Sequence, residues 1–153
     1  MNVLWIKDNN IGHEKQVKVL IDELSKSIDI NLIEQNYKTN NFSRLNHYFH
    51  YLTNNFFNKN NEFINLVNKC NQNNINLVVG AGSSVHISML LIKKYFKSTY
   101  QKNINLVSIL VPSLFHKHFD VICAPLHDEK KIANNENIIY FQGSLAKVSI
   151  KDV

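Results

Sequence analysis

The chain has 153 residues, a mass of 17.8 kDa and a formal net charge of +5, which is the size of one globular domain. Apolar residues make up 44% and charged residues only 19%, which excludes an ordinary disordered chain, and four glycines with two prolines exclude collagen-like and proline-rich classes. No apolar run reaches the roughly eighteen residues of a membrane span, and residues 3–6 are too short for a signal peptide, so we expect a cytoplasmic protein without a transmembrane segment.

The first half of the chain alternates a strand pattern with a helix pattern. Residues 2–6 predict a strand, and apolar residues three and four apart from Val17 to Ile28 predict an amphipathic helix after a polar turn. Alternation over residues 28–33 predicts a second strand. Residues 42–70 predict one or two helices, interrupted near residues 58–61, where polar residues of weak helix propensity cluster.

The second half repeats the order of strand, loop and helix. Residues 76–79 predict a buried strand that runs into a loop with two glycines, and helical spacing follows over residues 85–96. Three further strands are predicted at residues 104–111, 121–124 and 138–141. The sequence therefore predicts an α/β, Rossmann-like fold, with one domain over residues 1–153 and a mainly parallel sheet of about six strands that has helices on both faces.

The loops that follow the predicted strands contain most of the glycines and the most reactive polar side chains. In an open parallel sheet, ligands bind beyond the carboxyl ends of the strands, so we expect these residues to line one cleft. The candidate ligand-binding residues are Gly12, Gln16, Gly80, Gly82, Ser83, Ser84 and Gly143. The candidate catalytic residues are His13, His127 and Asp128.

The glycine loop favours anion binding, because it gives a tight turn and a close backbone approach at the start of a helix, with serine hydroxyls nearby. It is not a complete dinucleotide fingerprint, since Val85 replaces the third glycine, and no lysine follows as in a P-loop. A structural interpretation stays open, in which Gly82 permits the turn and Ser83 or Ser84 caps the helix.

His13 and His127, which follow two of the predicted strands, also have both a functional and a structural interpretation. His127 and Asp128 can act as an acid/base and its orienting carboxylate, or Asp128 can accept sugar hydroxyls, but a loop with this pair is also an ordinary turn. His13 follows Gly12 at a helix start, where its neutral imidazole or Gln16 can reach a ligand. The alternative is that both are ordinary polar residues of a first helical turn.

Neither a metal nor a cofactor is predicted. His47 and His50 lie three positions apart, and His116 and His118 lie two apart, but neither pair has a third ligand at a clear spacing. The two cysteines form no CxxC pair, and the predicted role of each is a buried, inert thiol.

The basic charge raises nucleic acid and anionic membrane surfaces as partners. Nucleic acid is disfavoured, because the sixteen lysines are scattered and Arg44 is the single arginine. The chain has twenty-four asparagines and seventeen isoleucines, whose codons are A/T-rich like those of lysine. A biased genome composition therefore explains the basic surface more simply than nucleic-acid binding does. Peripheral contact with the inner membrane stays open.

The chain resembles the mitochondrial fission ELM-type family, whose members are regarded as glycosyltransferases of the two-Rossmann-domain GT-B type. The matching pieces are Trp5 with residues 12–16, the Val-Gly-Ala-Gly of residues 79–82, and residues 137–139 with Gly143. The most specific piece is Phe-Asp-Val-Ile-Cys-Ala-Pro-Leu-His-Asp at residues 119–128, which is similar to the family's F-D-(L/V)-V-x-x-P-x-H-D. The chain departs from the family after the second glycine, where Ser83 and Ser84 replace the usual basic residues and threonine.

The resemblance covers the N-terminal half of the family's proteins, the half that faces the acceptor in GT-B enzymes. It implies a glycosyltransferase-like domain that lacks its donor-binding half, as a truncated product, a split gene or an excised piece would. Such a domain would need a second Rossmann domain or a separate donor-binding chain, and its acceptor would be an envelope lipid or a saccharide.

Two other functions remain open at this stage. The first is a non-enzymatic binding or scaffold module that uses its interdomain face for a partner. The second is a small nucleotide-binding protein, which would require the isolated chain to bind a nucleotide.

Overall fold

The computed structural model describes residues 1–53, 61–131 and 136–142. The strands are β1 (Asn2–Lys7), β2 (Asn31–Asn36), β3 (Leu77–Ala81), β4 (Asn105–Ile109), β5 (Val121–Pro125) and β6 (Ile138–Phe141). The helices are α1 (Ile11–Ser25), α2 (Asn41–Thr53), α3 (Asn61–Gln72) and α4 (Ser83–Tyr100), with short 3₁₀ helices at His116–His118 and Leu126–Lys131.

The six strands form one sheet in the order β2-β1-β3-β4-β5-β6, and every neighbouring pair is parallel. The predicted α/β class and Rossmann-like parallel sheet are confirmed. The chain winds outward from β1 to β2 in one direction and from β3 to β6 in the other. The crevice between the carboxyl ends of β1 and β3 is therefore the topological switch point, where ligands bind in such sheets.

The sheet separates two hydrophobic cores, because successive side chains of a strand point to opposite faces. In β1, Leu4 and Ile6 pack with buried residues of α2, α3 and α4, while Val3 and Trp5 pack with α1. β3 is buried along its whole length. This double burial explains why its sequence is continuously apolar rather than alternating.

Several element boundaries differ from the sequence predictions; the strand predicted at residues 104–111, for example, is β4 over Asn105–Ile109. The second strand begins at Asn31 rather than Ile28, because the Ile28 amide bonds the Leu24 carbonyl and completes the end of α1. As an edge strand β2 needs little apolar surface, so its sequence pattern is weak. The third strand continues through Gly80 to Ala81, which pair with β4.

The predicted helical region at residues 42–70 consists of α2 and α3. Most of the expected interruption at residues 58–61 lies outside the described residues, and Asn61 begins α3. His47 on α2 is buried. Its Nδ1 donates to the Ser43 carbonyl and its Nε2 accepts from the Tyr37 hydroxyl at 2.8 Å, which is the bonding of a neutral imidazole. Burial lowers the pKa of His47.

Both cysteines are buried and unpaired, as predicted. Burial raises the pKa of Cys70 to about 12 and also raises the pKa of Cys123, so neither thiol ionises near neutral pH. Among the described residues, no helix combines the length and the apolar character needed to cross a lipid bilayer.

Candidate functional site

Asp8 lies directly after β1, at the switch point, and is 6% exposed. Its Oδ1 accepts the backbone amide of Asn10 at 3.0 Å, and its Oδ2 accepts the Ser84 hydroxyl at 3.2 Å. The carboxylate thus joins the loop after β1 to the first turn of α4. A buried carboxylate held by several donors is a fixed negative charge, and here it lies where a ligand would bind.

The third partner of Asp8 is His13, whose Nδ1 lies 2.7 Å from Oδ2. Nδ1 therefore carries the donated proton, and Nε2 is left as an acceptor. Nε2 makes no hydrogen bond with another described residue, and a quarter of the side chain is exposed. A histidine oriented by a carboxylate, with its second nitrogen free, has the arrangement of a general base.

The sequence positions His13 through the start of α1. Asn10 is the N-cap, and its side chain accepts the amides of Gly12 and His13 at 3.0 and 3.3 Å. This cap begins the helix immediately after the β1 loop and turns His13 back toward Asp8.

Gly82 forms the opposite wall of the crevice. Its φ of +88° lies in the region that favours glycine, and a Cβ at this position would lie 2.6 Å from Cε1 of His13 and 3.1 Å from Oδ2 of Asp8. The absence of a side chain at residue 82 is what lets the histidine pair approach the start of α4.

The first turn of α4 is an amide-rich end of an 18-residue helix that has no side-chain cap at its N-cap residue. Arg44 from α2 lies beside it and donates from Nη1 to the Ser83 hydroxyl at 3.1 Å. The Thr39 amide and hydroxyl both donate to the Ser84 carbonyl. The only arginine of the chain therefore stands next to the predicted anion-binding loop.

His86, one turn further along α4, is 2% exposed and packs its ring against Phe119. The Ser108 hydroxyl donates to the Leu110 carbonyl at 2.7 Å, so it accepts from Nε2 of His86 at 2.8 Å. Burial lowers the pKa of His86 to about 3. The ring is a neutral structural support of the crevice and not an exchangeable acid.

The second candidate pair lies after β5. His127 is 76% exposed in its side chain, and its Nε2 lies 3.8 Å from Oδ1 of the largely buried Asp128. Asp128 lines a small cavity with Pro112, Ser113 and His116, at the ends of β4 and β5. Since β5 lies two strands beyond β3 and three beyond β1, this group lies about 12 Å from the switch point along the same edge.

The structure places the remaining predicted residues as follows. Gly80 lies inside β3, where a Cβ would approach Met89 and Val85 at 3.0 Å, so its smallness serves the packing of α4 on the sheet. Gly12 is in the first turn of α1, and Gln16 is one turn beyond His13. Gly143 lies outside the described residues.

Sequence reasoning missed Asp8 and Arg44 as site residues. Asp8 had a usable signal, because it is the first polar residue after a predicted strand. Arg44 had none, since it reaches Ser83 across 39 positions of the chain.

Some of the exposed apolar side chains lie at the carboxyl edge of the sheet. One follows each of four strand ends at the carboxyl edge: Ile11, Phe42, Leu114 and Leu126, exposed by 73%, 82%, 51% and 45%. Apolar side chains gathered at one edge of a domain are typical of a surface that another domain or chain covers. Within residues 1–53, 61–131 and 136–142, no three His, Cys, Asp or Glu side chains are grouped as metal ligands would be.

Comparison with known proteins gives one family. The family model described as mitochondrial fission ELM1 matches residues 11–152, which is nearly the whole chain. No curated protein matches the sequence.

Proposed function

The chain belongs to the mitochondrial fission ELM1 family, and on that basis we propose that it is a GT-B-like glycosyltransferase domain that forms the acceptor side of a two-domain active site. The observation that carries this proposal is the Asp8–His13 pair at the switch point, where Nδ1 lies 2.7 Å from the carboxylate and Nε2 is left as an acceptor. In a direct, inverting transfer of a sugar to a hydroxyl, such a base accepts the hydroxyl proton.

In the proposed reaction, the acceptor hydroxyl gives its proton to Nε2 of His13 while its oxygen attacks the anomeric carbon of the donor sugar. The bond from that carbon to the donor's phosphate breaks, and the phosphate leaves with its electron pair. The carboxylate of Asp8 keeps the ring in the productive tautomer and stabilises the imidazolium that forms. His127 and Asp128 would hydrogen-bond other hydroxyls of the acceptor further along the edge.

The start of α4 would bind an anionic group of the bound substrates. The amides of Ser83 and Ser84 and the Arg44 guanidinium would supply the positive charge for this group. Arg44 thus places a cation beside residues 83 and 84, where this chain has serines instead of the basic residues and threonine usual in the family.

The second half of the site would come from another Rossmann domain, in a separate chain or in a longer form of this one. The four exposed apolar side chains at the carboxyl edge support this step, because such a domain would cover them. One half of a cleft cannot exclude water or orient the donor against the acceptor. We therefore expect the 153-residue chain to be inactive alone.

The experiment combines this chain with a separately purified donor-side domain of a family member. Release of nucleoside diphosphate is measured with a panel of nucleotide sugars and with lipid and saccharide acceptors. We expect turnover only when both proteins are present, and a loss of at least about a hundredfold in His13→Gln. His50→Gln on α2 is the matched control and should retain activity.

Turnover by the chain alone would contradict the half-site proposal. Full turnover in the His13→Gln variant would contradict the role of His13 as the general base. A stable complex of the two proteins that shows no turnover with any substrate would favour the non-enzymatic scaffold instead.

A further inference from the structure

A second cavity lies on the α4 face of the sheet, away from the carboxyl edge. It is an open groove with a volume of about 760 Å³, lined by the end of α2, the outer side of α4 and the segment that leads into β5. Lys97 of its lining lies fourteen positions after Ser83, which places it about 20 Å along α4 from the crevice. The cavity size is typical of small-molecule sites.

The lining of this cavity has an excess of positive charge. Lys93 is paired with Asp120 at 2.6 Å. Lys97 and Lys117 also line the cavity, and neither forms a hydrogen bond or ion pair with another described residue. The Lys94 amine donates to the Tyr51 carbonyl and lies 4.4 Å from the centre of the Tyr51 ring. Three lysines of the lining thus have no carboxylate partner among the described residues, and two of them, Lys97 and Lys117, are exposed.

Part of the remaining wall is aromatic. The rings of Tyr51 and Phe115 are 4.9 Å apart, and His118 lies 5.7 Å from Phe115 and bonds the Tyr51 hydroxyl. Phe115 holds this position with a φ of +58°, a conformation that is unfavourable for a side chain with a Cβ.

From these two features we infer that the cavity binds a phosphomonoester attached to an aromatic or apolar group. The amines would contact the phosphate, for which lysine acts as a point charge, and the aromatic wall would bind the attached group. Neither feature suffices alone, because inorganic phosphate would leave the rings uncovered and a neutral aromatic would leave the amines unpaired. This site is separate from the proposed transferase crevice.

The test uses the full 153-residue chain and 1-naphthyl phosphate, with binding followed by fluorescence anisotropy. We expect 1-naphthyl phosphate to bind at least tenfold more tightly than either 1-naphthol or inorganic phosphate, the latter two measured by competition. Adenosine monophosphate and dihexanoylphosphatidic acid then distinguish a nucleotide from a lipid as the source of the phosphate.

Variants locate the binding. Lys97→Gln with Lys117→Gln should weaken binding of 1-naphthyl phosphate at least tenfold, whereas Lys15→Gln with Lys18→Gln, on the exposed side of α1 across the sheet, should leave it unchanged. Phe115→Asn removes the ring but keeps a residue that tolerates positive φ, and it should weaken naphthyl phosphate but not inorganic phosphate.

Absence of binding at millimolar 1-naphthyl phosphate would overturn the inference. Binding that is equally strong in the Lys97/Lys117 variant, or equally weakened in the Lys15/Lys18 control, would also overturn it.

Discussion

The ring of His13 fills the space that a side chain at position 82 would need, since a Cβ there would lie 2.6 Å from Cε1. The two residues come from loops after different strands, β1 and β3, which are neighbours in the sheet. Their close approach packs the start of α1 against the start of α4. Gly82 is therefore required for the Asp8–His13 pair to form at this position, independently of any ligand that the loop binds.

Gly82→Ala should lower the free energy of unfolding by about 1–3 kcal/mol, because it forces a Cβ into positive φ and against His13. Urea denaturation measures the loss, and the ring resonances of His13 should shift. Gly12→Ala is the matched control, since a Cβ there meets only the Asn10 side chain at 3.3 Å. Equal losses in both variants would show that the crevice contact has no special role.

Asp8→Asn should change the tautomer of His13. The amide oxygen must stay with the Asn10 amide, so the NH₂ group faces Nδ1 and donates to it, which moves the ring proton to Nε2. Nitrogen-15 NMR of the ring reports the tautomer directly. Asp29→Asn, on the exposed loop before β2, should leave it unchanged. A ring that is already protonated at Nε2 in the unmodified chain would disprove the proposed base.

We expect the folded protein to lose stability in acid, because His86 and His47 are buried as neutral side chains. The pKa of His86 falls to about 3 in the folded state, so between about pH 6.5 and 3 the unfolded chain binds a proton that the folded chain does not. The free energy of unfolding must then decrease as the pH falls through this window, by at most about 1.4 kcal/mol per pH unit for this residue. His47, whose pKa is lowered in the same direction, adds to the effect.

His86→Gln isolates this contribution, because the amide can still donate to Ser108 but does not titrate. Comparison of denaturation curves at several pH values should show a shallower dependence in the variant. Identical slopes would mean that His86 is protonated in the folded protein.

The apolar carboxyl edge should promote association. Ile11→Ser with Phe42→Ser should weaken self-association or binding of a donor-side domain, while stability changes by less than about 0.5 kcal/mol because both side chains are largely exposed. Sedimentation velocity at high concentration is the measurement. Ile28→Ser, at the opposite edge after α1, is the control. A strictly monomeric chain that binds no such domain would contradict this prediction.

The sequence by itself determined the order of the elements and the class of the fold. Continuous apolar runs such as residues 77–79 and helical spacing after residue 82 are local patterns, and their alternation leaves a parallel sheet as the natural arrangement. The family followed from short motifs that are contiguous in the chain, above all residues 119–128. The candidate residues could also be predicted from the sequence, because a position directly after a strand is a local feature of the chain.

Only the tertiary structure decided which of those residues work together. The strand order puts β1 beside β3, so Asp8 and His13 meet Gly82 and Ser84, whereas His127 and Asp128 follow β5, about 10 Å from β3 and about 14 Å from β1. Arg44 reaches Ser83 because α2 packs on α4, a contact that no local pattern encodes. Side-chain partnerships across tens of residues depend on packing, and packing is fixed only when the whole sheet is assembled.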